Sequence, residues 1–141
     1  MNPRHTHIGD CQTVQLTQRV ENGMAGVCAS MKHGLPFPIR RVYYLDQAPG
    51  GALRGDHAHL ALFQLLVALE GKLEVRLNDG RSNRVVALDR PDRGLIIVPG
   101  VWKELVEFSS DALCLVLASE LFSEADYIRS WDEFVTFKQV K

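Results

Sequence analysis

The feature of this chain that most limits its possible folds is a series of short apolar stretches that recur at close intervals. They are rich in Val, Leu, Ile, Tyr and Phe and are separated by Gly, Pro, Asn and Asp. This pattern favours antiparallel strands joined by turns, and so many short strands predict an all-β sandwich or barrel. The predicted strands are residues 14–20, 26–31, 39–45, 61–69, 72–78, 84–88, 95–98, 103–108 and 113–118.

The stretch 72–78 shows the clearest strand pattern. Strict alternation places Leu73, Val75 and Leu77 on one buried face and the charged residues on the other. Asp79-Gly80 follows, and because Gly tolerates the positive φ of a tight turn, a hairpin is predicted there.

Only the end of the chain has a helical pattern. Residues 123–126, Ser-Glu-Ala-Asp, offer an N-cap hydroxyl and acidic first-turn residues. The apolar residues that follow form one stripe at helical spacing: Tyr127, Ile128, Trp131 and Phe134. A short C-terminal helix packed on the barrel is therefore expected.

Length and charge restrict the organisation and the class of partner. The 141 residues fit one domain, which we expect to span 1–141. The balance of 16 basic and 17 acidic residues provides no net field for nucleic acid or an anionic membrane. No apolar run approaches a membrane span, and the odd number of cysteines fits a reducing compartment, so we expect a cytoplasmic protein without a membrane partner.

The segment 54–59, Arg-Gly-Asp-His-Ala-His, is the most informative for chemistry. Residues two apart on a strand point to the same side, so His57 and His59 would be aligned. Taken alone, the pair is better explained by an exposed loop with two ordinary histidines. Asp56 has the opposite parity and is not predicted to orient either ring.

The spacing downstream of the histidines resembles two cupin motifs. Four residues separate His59 from Gln64, and six more precede Gly71. Residues 94–103 resemble the second motif, a Gly-led strand that ends in Pro and a turn. The resemblance implies a cupin-type double-sheet jelly-roll barrel with a short C-terminal helix.

Two of the four positions that bind metal in metal-dependent cupins differ in this chain. Gln64 occupies the Glu position and Lys103 the second His position. An amide is a poor substitute for a carboxylate, and an ammonium has no lone pair to give a cation. We therefore predict no catalytic metal, although two histidines could retain adventitious zinc. Without metal, two imidazoles in one cavity suit general acid–base catalysis.

Beyond the cupin pattern, the sequence resembles the sugar 3,4-ketoisomerases that act on thymidine-diphosphate-4-keto-6-deoxyglucose. The likeness extends over about residues 37–134 and agrees in order along the chain. It rests on the segments 40–44, 54–59, 78–80, 99–102, 108–109, 115–119, 126–129 and 132–134, together with Gln64.

The resemblance implies a metal-free homodimer without a cofactor, whose substrate is a dTDP-linked keto-deoxysugar. His57 and His59 would move protons between C3 and C4 through an enediol, shifting the ketone from C4 to C3. Arg129 would contact the diphosphate, for which a guanidinium is well suited. The substrate-binding set is completed by Arg41, Tyr43, Arg54, Gln64, Trp102 and Lys103.

The chain departs from the family pattern at three places. Leu60 follows the histidines where Lys or Arg is usual, and Lys103 follows Trp102 where His is common. Residues 21–26 replace an Asp-x-Arg-Gly-x-Leu pattern. Leu60 faces away from the histidines by parity, whereas Lys103 could enter the cavity.

Several of these residues also have structural interpretations. Gln64 could be a satisfied polar core residue, and Arg54 could pair with a carbonyl or carboxylate at the barrel mouth. Aromatic residues are more often core than ligand contacts in β-rich chains, which applies to Trp102, Tyr43, Tyr44 and Phe63. Arg40 and Arg41 face opposite sides, and Arg41 is favoured only through the resemblance.

Three classes of function remain possible from the sequence. The first is a metal-free ketoisomerase, the second is a catalytically silent sugar-nucleotide-binding cupin, and the third is a metal-dependent cupin enzyme of other chemistry. The fold cannot decide among them.

Overall fold

The computed structural model describes residues 1–46 and 54–139. Within these residues the chain forms twelve strands, three short 3-10 turns and one α-helix. The elements are β1 (Thr13–Gln15), β2 (Thr17–Glu21), β3 (Met24–Cys28), β4 (Arg41–Asp46), β5 (Arg54–His59), β6 (Gln64–Glu70), β7 (Leu73–Asn78), β8 (Asn83–Leu88), β9 (Arg93–Ile97), β10 (Trp102–Val106), β11 (Leu113–Ala118), β12 (Tyr127–Ile128) and α1 (Trp131–Gln139).

Two five-stranded antiparallel sheets build the barrel. The first sheet has the strand order β1-β9-β6-β11-β4, and the second has the order β12-β5-β10-β7-β8. A separate hairpin, β2-β3, pairs with neither sheet in the described residues. This arrangement confirms the predicted cupin-type double-sheet jelly roll with a short C-terminal helix.

The inner faces of the two sheets supply the core. Leu73, Val75 and Leu77 of β7 are buried, as the alternation predicts. They belong to the same apolar cluster as Leu65 and Leu95 of the opposite sheet. The predicted hairpin also forms, because β7 pairs with β8 across a turn in which Gly80 has a φ of 92°.

The C-terminal helix begins later than the sequence predicts. Residues Glu124–Asp126 form a 3-10 turn, and Ser123 makes no side-chain cap there. Tyr127 and Ile128 are extended because they pair with His59 and Ala58 of β5. The sheet therefore competes with the helix for this segment, and α1 starts only at Trp131.

Helix α1 covers the outer face of the second sheet. Phe134 is fully buried in a small cluster with Trp102, Ala58 and Ile128. At the far end of α1, the Lys138 ammonium donates hydrogen bonds to backbone oxygens of Pro3, Thr6 and Gly100, each at 2.9 Å. No helix in the described residues is long and apolar enough to cross a membrane.

Candidate active site

The two predicted histidines meet inside the barrel. His57 and His59 lie two residues apart on β5, so both side chains point to the inner face of the second sheet. Their exposed fractions are only 8% and 4%. The two Nε2 atoms are 3.0 Å apart, within hydrogen-bond distance. The strand thus produces a buried pair of imidazoles with facing nitrogens.

A carboxylate contacts the second of these rings. The Nδ1 atom of His59 lies 3.0 Å from Oδ2 of Asp126, and Oδ1 of Asp126 accepts the backbone N–H of Ala61 at 2.8 Å. Asp126 ends the 3-10 turn before β12, so the pairing of β12 with β5 places it beside His59. The sequence predicts Asp126 only as an acidic first-turn residue of a helix and not as a site residue. Its presence in the family-like segment 126–129 was the only signal for it.

Tyr127 completes the wall around the imidazoles. Its ring centroid lies 4.7 Å from that of His57 and 4.4 Å from that of His59. The guanidinium of Arg129 stacks on the same ring at 4.1 Å and forms a bidentate pair with the exposed Glu124. Arg129 therefore lies at the outer edge of this group, separated from the histidines by the Tyr127 ring. Tyr127 is a second site residue that the sequence analysis missed.

On the other side of the histidines is a chain of three polar side chains. Lys103 of β10 is the register partner of His57, so its side chain enters the same interior. Its ammonium nitrogen donates to Oε1 of Gln64, and Nε2 of Gln64 donates to the Tyr43 hydroxyl at 3.0 Å. Gln64 is completely buried and Lys103 is 2% exposed. This line of side chains connects the two sheets across the barrel interior, because Lys103 belongs to the second sheet and Gln64 and Tyr43 belong to the first.

Arg41 extends this group beyond Tyr43. Its guanidinium lies 5.1 Å from the centroid of the Tyr43 ring and 5.7 Å from that of Phe122. Its Nε atom is buried and has no hydrogen-bond partner within the described residues. Buried donors are nearly always satisfied, so this N–H is suited to an acceptor brought by a ligand.

Burial dominates the electrostatics of the site. Burial first, and the nearby charge of Lys103 second, lower the pKa of His57 to about 3 and that of His59 to about 2. Burial likewise lowers the pKa of Lys103 to about 7. It raises the pKa of the Tyr43 hydroxyl, which Tyr127 raises further. At neutral pH, both imidazoles are therefore uncharged and Tyr43 retains its proton.

These pKa values predict a loss of stability in acid. Histidine in the unfolded chain titrates near pH 6.5, so between pH 6.5 and 3 the unfolded state binds more protons than the folded state. The free energy of unfolding should then fall by up to about 1.4 kcal/mol per pH unit for each imidazole. Urea titrations from pH 7 to pH 4 measure this slope.

The variant that tests this slope is the double substitution of His57 and His59 by Asn, and the exposed His5→Asn is its matched control. We expect a shallower pH dependence in the double variant and the parent dependence in the control. An unchanged slope in the double variant would show that the buried pair does not determine acid stability.

Two predicted site residues do not join this group. Trp102 precedes Lys103 on β10, so its side chain points to the outer face, where its ring packs 5.5 Å from those of Trp131 and Phe134. The structure separates Trp102 from the histidines, and we omit it from the site. Arg54 pairs through its backbone with Leu105, but its side chain lies outside the described part of the structure.

The donor set around the histidines fits a divalent cation poorly. The described residues contain no group of three or more His, Cys, Asp or Glu side chains arranged to bind a metal ion. Gln64 and Lys103 occupy the other two positions that bind metal in metal-dependent cupins. The Lys103 nitrogen already donates to the Gln64 amide oxygen. An ammonium in that position repels a cation.

Comparison with known proteins gives consistent matches. The family model described as FdtA: WxcM-like, C-terminal, matches residues 9–139. A TDP-4-oxo-6-deoxy-alpha-D-glucose-3,4-oxoisomerase of Aneurinibacillus thermoaerophilus is 47% identical over 100 residues, which cover 71% of this chain and 72% of that protein.

Solved structures match over most of the chain. A 3,4-ketoisomerase from Helicobacter canadensis is 36% identical with a TM-score of 0.86, covering 93% of this chain and 98% of that one. The sugar 3,4-ketoisomerase QdtA from Thermoanaerobacterium thermosaccharolyticum, solved in complex with TDP, is 32% identical with a TM-score of 0.86, covering 92% and 95%.

Proposed function

This chain belongs to the FdtA family, and from that membership we propose that it is a sugar 3,4-ketoisomerase acting on a TDP-linked sugar. The substrate class that we propose is a dTDP-4-keto-6-deoxyhexose, whose ketone moves from C4 to C3. The observation that carries the proposal is the buried pair of imidazoles with Nε2 atoms 3.0 Å apart. Two proton carriers at this separation suit two adjacent sugar carbons.

The proposed chemistry is metal-free general acid–base catalysis. One imidazole takes the proton from C3 as the N–H of the other gives its proton to O4, which yields an enediol with a C3–C4 double bond. The first imidazole then returns its proton to C4, and the O3 proton passes to the second imidazole, so the ketone is at C3 and both rings regain their starting states. Because burial keeps the rings uncharged at neutral pH, each has both a lone pair and an N–H.

Tyr43 is suited to donate a hydrogen bond to the sugar. The Gln64 amide nitrogen donates to the Tyr43 oxygen, because the Gln64 oxygen is taken by Lys103. The Tyr43 proton is therefore available to an acceptor on the ligand, and the raised pKa of the hydroxyl keeps the proton in place. We propose that Lys103 and Gln64 fix this donor, and that Lys103 also contacts the ligand.

The two arginines are the proposed contacts of the diphosphate. Arg41 has a buried Nε without a partner in the described residues, and Arg129 stands on the Tyr127 ring at the edge of the site. A guanidinium binds phosphate oxygens through parallel hydrogen bonds. Arg54 remains a predicted contact at the cavity mouth.

The proposed activity can be tested in deuterated water. The protein, treated with EDTA, is incubated with dTDP-4-keto-6-deoxyglucose, and NMR follows the appearance of a 3-ketone and of deuterium at C4. We expect turnover to survive the chelator. Binding without any product would identify a silent sugar-nucleotide-binding protein, and activity that only one added metal restores would identify a metal-dependent cupin.

We also propose that the protein is a homodimer. The β2-β3 hairpin is exposed along its whole length and presents Val20 and Met24, which are at least 70% exposed. Exposed strand edges and apolar side chains favour pairing with a second copy.

Sedimentation at micromolar concentration should give the mass of two chains. Val20→Glu should shift it to the mass of one chain, while Val85→Glu, at an exposed position of β8, should not. A parent protein that sediments as a monomer contradicts this assembly.

A further inference from the structure

Three side chains in the site form a continuous hydrogen-bonded line that ends at a carboxylate. Oδ2 of Asp126 meets Nδ1 of His59, and Nε2 of His59 meets Nε2 of His57, each across 3.0 Å. The imidazole of His59 is therefore contacted at both nitrogens, and the identity of its neighbours decides which nitrogen carries the proton.

The carboxylate can only accept a hydrogen bond. Uncharged imidazole has one N–H and one lone pair, so contact with a carboxylate requires the N–H of His59 to be on Nδ1. Nε2 of His59 then has the lone pair. In the hydrogen bond between the two rings, Nε2–H of His57 is therefore the donor. The Nε2 lone pair of His59 is the acceptor.

We propose that Asp126 is a positioning residue that fixes His59 as the Nδ1–H tautomer and thereby sets the direction of the His57-to-His59 hydrogen bond. The inference deepens the proposed ketoisomerase function and rests on it. Before the sugar binds, the pair thus has a defined donor, Nε2–H of His57, and a defined acceptor, Nε2 of His59. A ligand that enters between the rings meets one of each.

Asp126 is itself held in a fixed orientation. Oδ1 accepts the backbone N–H of Ala61 at 2.8 Å, and the backbone oxygen of Asp126 accepts the N–H of Leu60 at 2.9 Å. The loop that follows β5 therefore holds both the side chain and the backbone of Asp126. With Oδ1 bonded to Ala61, Oδ2 is the oxygen that contacts the His59 ring.

The hydrogen bond from Ala61 makes Asp126→Asn a direct test of the tautomer of His59. The Ala61 N–H can only donate, so the amide oxygen of the new Asn should face it and the NH₂ group should face His59. That donor would require a lone pair on Nδ1 of His59 and would move the ring proton to Nε2. The substitution should therefore invert the tautomer, an effect that a purely structural role would not produce.

The readout is ¹⁵N NMR of histidine-labelled protein without ligand, with assignments from His57→Asn and His59→Asn. In the parent we expect His59 protonated at Nδ1 and His57 at Nε2. In Asp126→Asn we expect His59 protonated at Nε2 and turnover lower by at least about 10²-fold, with the KM nearly unchanged, since a wrong tautomer disables positioned proton transfer. Asp126→Glu retains a carboxylate and should keep the parent tautomer.

Asp89→Asn, the same change at an exposed carboxylate, is the matched control and should alter neither tautomer nor turnover. Circular dichroism verifies that each variant is folded. A parent protein with His59 protonated at Nε2, or an Asp126→Asn variant with parent tautomers, overturns the proposal. Because the tautomer is read without substrate, a protein with the expected tautomers but no ketoisomerase activity would contradict the proposed function alone.

Discussion

Replacing either His57 or His59 with Asn is expected to lower turnover by about 10²–10⁴-fold, the usual contribution of a positioned general acid or base. Asn retains some hydrogen bonding and approximately the side-chain volume, but it has no nitrogen that titrates. Steady-state kinetics on dTDP-4-keto-6-deoxyglucose measures the loss. Calorimetric titration with TDP should show that nucleotide binding changes much less.

The two substitutions need not have equal effects, because only His59 contacts Asp126. His33→Asn, at a residue outside the site that bonds Ser30, is a matched control and should retain parent turnover. If both site variants keep near-parent turnover on a confirmed substrate, the pair is structural and the proposed mechanism is wrong.

Gly100→Ala is expected to lower the free energy of unfolding by about 4 kcal/mol or more, in the range reserved for severe steric or backbone conflicts. Gly100 has a φ of 80°, and a Cβ there would lie 1.9 Å from the Pro3 oxygen and 2.4 Å from Oγ1 of Thr6. Both the backbone conformation and the contacts oppose any side chain. Urea unfolding at pH 7 measures the change.

Gly9→Ala is the appropriate comparison, because a Cβ at Gly9 has no neighbour within 4 Å. We expect Gly9→Ala to change the free energy of unfolding much less than Gly100→Ala does. Equal losses in the two variants would mean that close packing against Pro3 and Thr6 is not what requires glycine at position 100.

Much of the fold could be predicted because strand patterns are local. The alternation in 72–78 identified the buried residues of β7, and the Gly in Asp79-Gly80 identified the turn. Strand β5 was absent from the apolar stretches, since its sequence is charged and histidine-rich. The sequence predicts helix over 123–128 because helical spacing is also a local pattern. The structure extends Tyr127 and Ile128 because they pair with β5, which is distant in the sequence.

The site was predictable only in part, for a similar reason. Parity along one strand aligned His57 with His59. Trp102 was predicted as a substrate contact together with Lys103, whereas in the structure it packs on Trp131 and Phe134 at the outer face. The contact between Asp126 and His59 joins residues 67 positions apart, and no periodicity reveals it. The hydrogen bond between Lys103 and Gln64 likewise depends on how the two sheets face each other.

The contacts of Lys138 tie distant parts of the chain into one cooperative unit. Its ammonium holds the carbonyls of Pro3, Thr6 and Gly100, while the N–H of Gly100 donates to the carbonyl of His59 at 2.8 Å. Opening the last turn of α1 therefore removes the donor to the Gly100 carbonyl, in the residue whose N–H bonds to β5. The amides of the Gly100 turn and of the residues around Thr6 should open together with the helix end, so hydrogen exchange near β5 should depend on Lys138.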